Sequence, residues 1–416
     1  MRKLVWPLLV LAAPVYAAPV YAEPGLPERA AVVAALDAHP AVLAAQARSE
    51  AARAEAEALG RGAHETLLTT GYNNRTVRDE GRYSEFEAQL TRPIRLPGKA
   101  GLDRRIGAEG ITYAANMAED ARHQVALNLA SAWWNWLGAA GEARVDAQAV
   151  GNYAAVLASV ARRAALRDAA ALEVDQARAA LSGAQAAAEG AAGRAAIARA
   201  RLVAQFPGFA LPAQAPEVPL PEIPAGGLMA LHDRILGRSH ELRAAEALAA
   251  QAEAQAERAR RDKVADPSVG LRVFSEKGGM ERGAGVLFSM PLGGGYRSAL
   301  ADKAGAQASA AQADLAAVRL TIDETADADM AEAQAARAAW DKAREAVAAQ
   351  VAALAKLRRG QALGEIGLAE VLLGERQAHE AFREEVVARA EALRALTRLR
   401  IDSHTLWIDD EEDAKP

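Results

Sequence analysis

At 416 residues the chain is too long for one ordinary compact domain. A quarter of its residues are charged and only 5% are aromatic, a profile rich in Ala, Glu, Arg and Gln that points to long helices with a coiled-coil period. The formal net charge of −5 gives no attraction to nucleic acid, and the absence of cysteine excludes disulfides, thiolate metal sites, catalytic thiols and a lipid-modified N-terminal cysteine.

The N-terminus reads as a signal peptide. Arg2 and Lys3 form its basic region, and Leu4 to Ala13 form an apolar stretch too short to span a bilayer. Small-residue cleavage sites follow at Val15-Tyr16-Ala17 and Val20-Tyr21-Ala22. Cleavage after Ala22 is the preferred site, which makes residues 1–22 the leader and Glu23 the first mature residue. No later segment offers the roughly twenty apolar residues of a membrane helix. Passage through a membrane would therefore require strands.

Residues 23–205 form a first unit. Glu28 to Leu59 reads as a helix, and 66–96 as a β-hairpin. Its strands, Thr66–Val77 and Arg82–Leu96, are joined across Asp79-Glu80-Gly81. In the second strand Phe86, Ala88 and Leu90 alternate with Glu85, Glu87 and Gln89, as lipid-facing and lumen-facing residues would. A long helix is expected over 99–166 and another over 172–205. Within the long helix Val125, Leu129, Ala132, Trp136, Ala139 and Ala143 form a heptad stripe, and Ala126, Ala130, Trp133, Leu137 and Ala140 form a second beside it. Two adjacent seams suit a helix with neighbours on both sides, as in a ring. The flanking helices should each supply about half the length of the long one.

Six prolines mark 206–227 as a linker at mid-height. Residues 228–403 repeat the plan: a helix, a hairpin over 268–292, a long helix over 297–359 and a helix over 368–403. Residues 404–416 read as an acidic, solvated tail. The two units align at an offset of about 200 residues, Leu90-Thr91-Arg92-Pro93-Ile94 with Phe288-Ser289-Met290-Pro291-Leu292, and Leu172-Glu173-Val174 with Ala369-Glu370-Val371. Each hairpin leaves through Pro and Gly: Pro93, Pro97 and Gly98 in the first, Pro291, Gly293 and Gly294 in the second. Four strands per chain fall short of the eight or so that close even a filled barrel, so a membrane barrel would need several chains.

These doubled helix–hairpin–helix halves, with their Pro-then-Gly exits and leader, resemble the TolC-type outer-membrane efflux protein family over nearly the whole mature chain. Arg95-Leu96-Pro97-Gly98-Lys99 and the segment from Glu276 to Gly283 resemble its heavy-metal, CzcC-like branch. The resemblance implies a mainly α protein with a membrane β-barrel. A homotrimer would combine a twelve-stranded barrel in outer-membrane lipid with a twelve-helix periplasmic α-barrel. It also implies a periplasmic adaptor (membrane fusion protein) and an inner-membrane RND-type pump or ABC transporter as partners. The periplasmic tips should lie at 166–173 and 360–370. Gly364, Gly367 and Leu368 match the family's tip pattern and, with Ile366, are candidate adaptor-docking residues, as are Arg167 and Ala170, which depart from the pattern in the first unit and put its docking groove in doubt. Glu370, with Glu173 as its first-unit counterpart, falls where some members narrow the tip with acids; Leu373 departs from that pattern.

No catalytic constellation, cofactor or metal site is expected. Pro97-Gly98-Lys99 and the Gly293-Gly294-Gly295 run lack phosphate-loop spacing, and the seven histidines are scattered in sequence. Trp133, Trp134 and Trp136 are expected to pack within the wall. Two rival readings remain: a duct for type I protein secretion, and a periplasmic coiled-coil adaptor or scaffold.

Overall fold

The computed structural model describes residues 24–224 and 226–408; the leader, its cleavage site and the acidic run at 409–413 lie outside the described residues. The first unit contains α1 (Arg29–Asp37), α2 (Pro40–Arg61), β1 (Leu67–Val77), β2 (Gly81–Pro93), α3 (Lys99–Ala165) and α4 (Ala171–Gln205). The second contains α5 (Gly227–Arg238), α6 (His240–Arg261), β3 (Ser268–Glu276), β4 (Glu281–Ser289), α7 (Gly295–Ala362) and α8 (Leu368–Asp402). The duplication is close: α2 and α6 have 22 residues each, α4 and α8 have 35 each, and α3 and α7 have 67 and 68. At 1.5 Å per residue the two long helices extend about 100 Å.

The strands form one antiparallel sheet in the order β1-β2-β3-β4, so β2 pairs with β3 across the two units. Below the sheet, α3 lies between α2 and α4 on one side and α6 and α8 on the other, while α7 packs on the far side of α6 and α8. This explains the paired stripes of α3. Val125, Leu129 and Trp136 of the first stripe and Ala126, Ala130, Trp133 and Leu137 of the second are all buried in the main core. Nineteen residues of α3 are buried against eight of α7, because α7 has a packed neighbour on one side only. Ala and Gly let the helices come close. A Cβ added at Gly107 would lie 2.8 Å from the Cα of Ala56, so the α2–α3 crossing there requires glycine.

At mid-height the short helices abut end to end. The His39 ring, which caps α2 by accepting from Ala41 N–H, packs on Phe206 just after α4, with centroids 5.6 Å apart. In the second unit His240, the first residue of α6, stacks at 4.8 Å on His404 just after α8. The Pro-rich segment crosses here and inserts Phe209 and Val218 into the core with the tryptophans. Trp133 donates to the Gly25 carbonyl and Trp134 to Thr397 Oγ1, both at 2.8 Å, so these indoles are core residues with satisfied N–H groups.

Four expectations need correction. The helix expected over Glu28–Leu59 is two helices, α1 and α2, bent by 58° at Ala38-His39. Pro40 occupies the first turn of α2 and holds His39 extended at ψ 134°, which stops α1. The short helices contribute 22 and 35 residues rather than equal halves, which sets the junction nearer the sheet. The second strand of each hairpin ends early, β2 at Pro93 and β4 at Ser289, because proline lacks the N–H that would continue the ladder. Finally, 404–408 is no solvated tail: Leu406, Trp407 and Ile408 are buried in the main core, driven there by their apolar side chains.

Candidate functional site

Three stations along the long axis carry the features that the sequence singles out. The first is the sheet. Antiparallel register places Leu68, Phe86, Ala88, Leu90, Leu271, Val273, Val286 and Phe288 on one face. Apart from Ala88 these are exposed, Val286 by 80% and Phe288 by 69%, and no other element covers them. The opposite face is polar and internally paired. Arg75 meets Glu85 at 2.7 Å and Arg272 meets Glu87 at 2.7 Å, beside Thr69 and Gln89. Exposed apolar surface of this extent in strands of 9 to 13 residues matches a tilted bilayer crossing. No single described helix is long and apolar enough to cross a membrane.

The second station is the collar where strands turn into long helices. Pro93 ends β2, and Ile94 N–H donates to the Pro267 carbonyl. Pro97 and Gly98 follow, Gly98 at φ 87°, which lets Lys99 begin α3 pointing inward. Lys99 is 2% exposed. Its Nζ donates to Asp262 at 2.8 Å, to Asp266 at 2.9 Å and to the Val264 carbonyl at 2.7 Å. Asp266 also accepts from Leu96 N–H, and His64 Nε2 lies 3.3 Å away. Arg258 bridges Asp262 and Asp103, and Arg95 reaches Asp103 at 3.2 Å. The network joins the exit of one hairpin to the entry of the other. In the second unit Pro291 and Gly293 (φ 117°) lead to Gly294, which precedes α7, and Leu292 beside them is almost fully exposed.

Burial alone would raise the Asp262 and Asp266 carboxyls. Hydrogen bonds from Arg258 and Lys99 to Asp262, and from Lys99, Leu96 N–H and His64 to Asp266, outweigh it and hold both below the ordinary carboxylate value. The sequence shows Lys99 but not its partners, which lie in the other unit.

The third station is the far tip. Arg167 and Gly364 occupy equivalent left-handed positions, φ 64° and 76°. Both helices close in the same way, with Asp168 N–H donating to the Arg163 carbonyl at 2.8 Å and Glu365 N–H to Gly360 at 3.0 Å. Arg167 and Ala170 therefore leave the backbone of the first tip unchanged. Arg163 stabilises this turn by donating to the side chain and the carbonyl of Asp168. Ala170 and Gly367 are the equivalent residues preceding α4 and α8. Ile366 packs on Gly360, where an added Cβ would meet it at 2.5 Å, and Leu368 is buried with Val160 and Ala177 in a small tip core. Glu173 and Glu370 sit in the first turns of α4 and α8; Glu370 is exposed and Glu173 half-buried. A carboxylate there is stabilised by the helix N-terminus.

One constellation escapes the sequence altogether. Asp120 and His123 of α3 and Glu241 of α6 hold ligand atoms within 4.8 Å of one another. Only His123 and Asp120 share a helix face; Glu241 comes from the other unit.

No protein-family model and no curated protein matches the chain. Solved structures do. The outer membrane protein VceC from Vibrio cholerae superposes with a TM-score of 0.75 at 18% identity, covering 90% of this chain and 95% of that one. The CmeC outer membrane channel of Campylobacter jejuni gives 0.73 at 15% identity, with 92% and 87% covered. The open-state MtrE outer membrane channel of Neisseria gonorrhoeae gives 0.65 at 18%, with 92% and 89% covered.

The collar generates a prediction. Both aspartates are depressed in the fold, so their stabilisation is present above the unfolded carboxylate value near ~4 and fades as pH falls through the lower folded value. Removing the buried ammonium with Lys99→Ala should cost about 3–5 kcal/mol at neutral pH by stranding two carboxylates. Thermal unfolding of detergent-solubilised protein across pH should show the variant nearer the wild type below pH ~4. Parallel curves at all pH values would remove the clamp from the account. The chain has the fold of the outer membrane protein VceC and of the outer membrane channels CmeC and MtrE over nine-tenths of its length.

Proposed function

We propose that this chain is the outer-membrane channel of a tripartite efflux system, a passive duct that works as a homotrimer. The observation that carries the reading is the open sheet. Its edges, β1 and β4, have no partner strand among the described residues, and its apolar face is uncovered. In hydrocarbon each unpaired backbone group costs several kcal/mol, so β4 of one copy must pair with β1 of the next. Two copies would give eight strands, whose interior is just filled by side chains. Three give twelve and leave an aqueous lumen lined by Arg75, Glu85, Glu87 and Arg272. The same closure gives α7 a neighbour on its open side, the α2–α4 wall of the next copy, and completes a ring of helices.

This arrangement places the barrel in the outer membrane of a Gram-negative bacterium and the helices in the periplasm. A periplasmic adaptor would dock at the tips, and an inner-membrane RND-type pump would supply the energy. No catalytic chemistry is required of the chain. Heavy-metal cations are the substrate class suggested by the Arg95–Lys99 and Glu276–Gly283 segments. Three Glu370 side chains around the axis would narrow the tip and attract cations.

Two measurements test the reading. Outer-membrane fractionation followed by light scattering in detergent should give a particle of three cleaved chains, and a monomer would sink the assembly. Single channels in planar bilayers should lose cation selectivity in Glu370→Lys. Unchanged conductance and selectivity would remove the gate and leave the barrel standing.

A further inference from the structure

A polar cluster lies at mid-height, where α6 begins and α8 ends. His123 is 5% exposed, so whatever its ring nitrogens meet is fixed by protein. Its Nε2 lies 2.7 Å from Asp402 Oδ1, a distance at which the ring N–H donates to the carboxylate. Arg398 holds that carboxylate from the other side, its Nε 3.6 Å from Asp402 and 2.8 Å from Asp329. Burial lowers the His123 pKa, but the Asp402 and Glu241 carboxylates outweigh it and raise it to about 9, so a cation would bind Nδ1 by displacing its proton while Nε2 keeps its bond to Asp402.

That Nδ1 is buried and has no hydrogen-bond partner. The nearest carboxylate oxygen, Glu241 Oε1, stands 3.6 Å away. This is long for a hydrogen bond. Donors bound about 2.0–2.1 Å from one tetrahedral Zn²⁺ stand roughly 3.3 Å apart, which is close to the observed gap. Glu241 is held in this pose by Ser239, whose hydroxyl donates to Oε2 at 2.8 Å while capping α6 through Leu242 N–H. Asp120, one turn before His123, completes the set, and Gln124 donates to its Oδ1 at 3.3 Å. Alongside runs a cavity of about 400 Å³ whose lining includes His123, Glu241, Asp402, Thr321 and Thr325.

We propose that Asp120, His123 and Glu241 form a divalent-cation site, with Asp402 as the hydrogen-bonded support of the histidine ligand. The donor set is one imidazole nitrogen and two carboxylate oxygens. Its two negative charges match a divalent ion, and the absence of sulfur selects Zn²⁺, Co²⁺ or Ni²⁺ over Cu⁺. A carboxylate on the non-ligating ring nitrogen is the usual companion of such a histidine. The bound ion ties α3 of the first unit to the start of α6 in the second and so staples the wall at its helix junction. All ligands come from one chain, so the site stands independently of the trimeric channel reading.

The test uses the full chain in detergent, stripped with a chelator and equilibrated with Zn²⁺ or Co²⁺. Wild type should bind one Zn²⁺ per chain, and Co²⁺ should give a visible d–d band from nitrogen and oxygen ligation. Asp120→Asn and Glu241→Gln, both close in shape to the residues they replace, should each weaken binding at least tenfold. His232→Gln, which alters a half-buried histidine paired with Asp327 and lying outside the cluster, should leave binding unchanged. Circular dichroism identical to wild type establishes that each variant is folded, and either ligand variant suffices. Absence of tight Zn²⁺ binding in wild type overturns the proposal. So does binding that survives both ligand variants or depends on His232.

Discussion

The backbone at the two edges of the sheet is the constraint on which the rest depends. A four-stranded antiparallel sheet with one apolar face is stable in neither solvent alone. In water it exposes Leu271, Val286 and Phe288; in lipid it exposes two rows of unpaired amides. Lateral closure by further copies resolves both problems at once, because it removes the edges and leaves the apolar face to lipid. The helical half shows the same incompleteness. α3, with neighbours on both sides, is packed along two stripes, whereas α7 is packed along one. Sheet and helices therefore call for the same operation: another copy beside the first.

Under the proposed trimer one chain supplies a third of the ring, and the duplication provides that share. Each unit contributes two strands, a long helix and a broken helix, and the ring needs the two units in a fixed angular relation. The contacts that fix it are polar and lie at defined heights. Near the membrane, Lys99 of the first unit is buried between Asp262 and Asp266 of the second. At mid-height, His123 faces Glu241 and Asp402. An apolar seam of alanines can slide by a residue at little cost, but a buried ammonium with two carboxylates cannot. These clusters act as register marks between long, similar helices.

Much of this was legible in the residues. Heptad stripes announced α3, and Pro and Gly punctuation announced the hairpin exits. The repeat offset near 200 matches the spacing of His39-Pro40 and Ser239-His240 at the starts of α2 and α6. Local misreadings had local causes. An alanine-rich run hid the break before Pro40, and the acidic residues after Ile408 drew Leu406 and Trp407 into a supposed tail. The polar clusters were hidden for another reason. Lys99 with Asp266 and His123 with Glu241 join positions in different units, and no periodicity along one helix reports such a pair. The tip residues were legible as a motif, and the structure adds that Arg167 takes the same left-handed turn as Gly364.

The central claim is that β4 of one copy pairs with β1 of the next. The chain has no cysteine, so introduced thiols report on that edge without background. A small set of double variants would pair one cysteine on β1, at Thr70 or Tyr72, with one on β4, at Ala284, Val286 or Phe288. Oxidation in outer membranes followed by denaturing electrophoresis then reads the assembly directly. The account predicts that at least one pairing yields a ladder of cross-linked species that stops at three chains. Monomer alone in every pairing, or a ladder that continues past three, would contradict it.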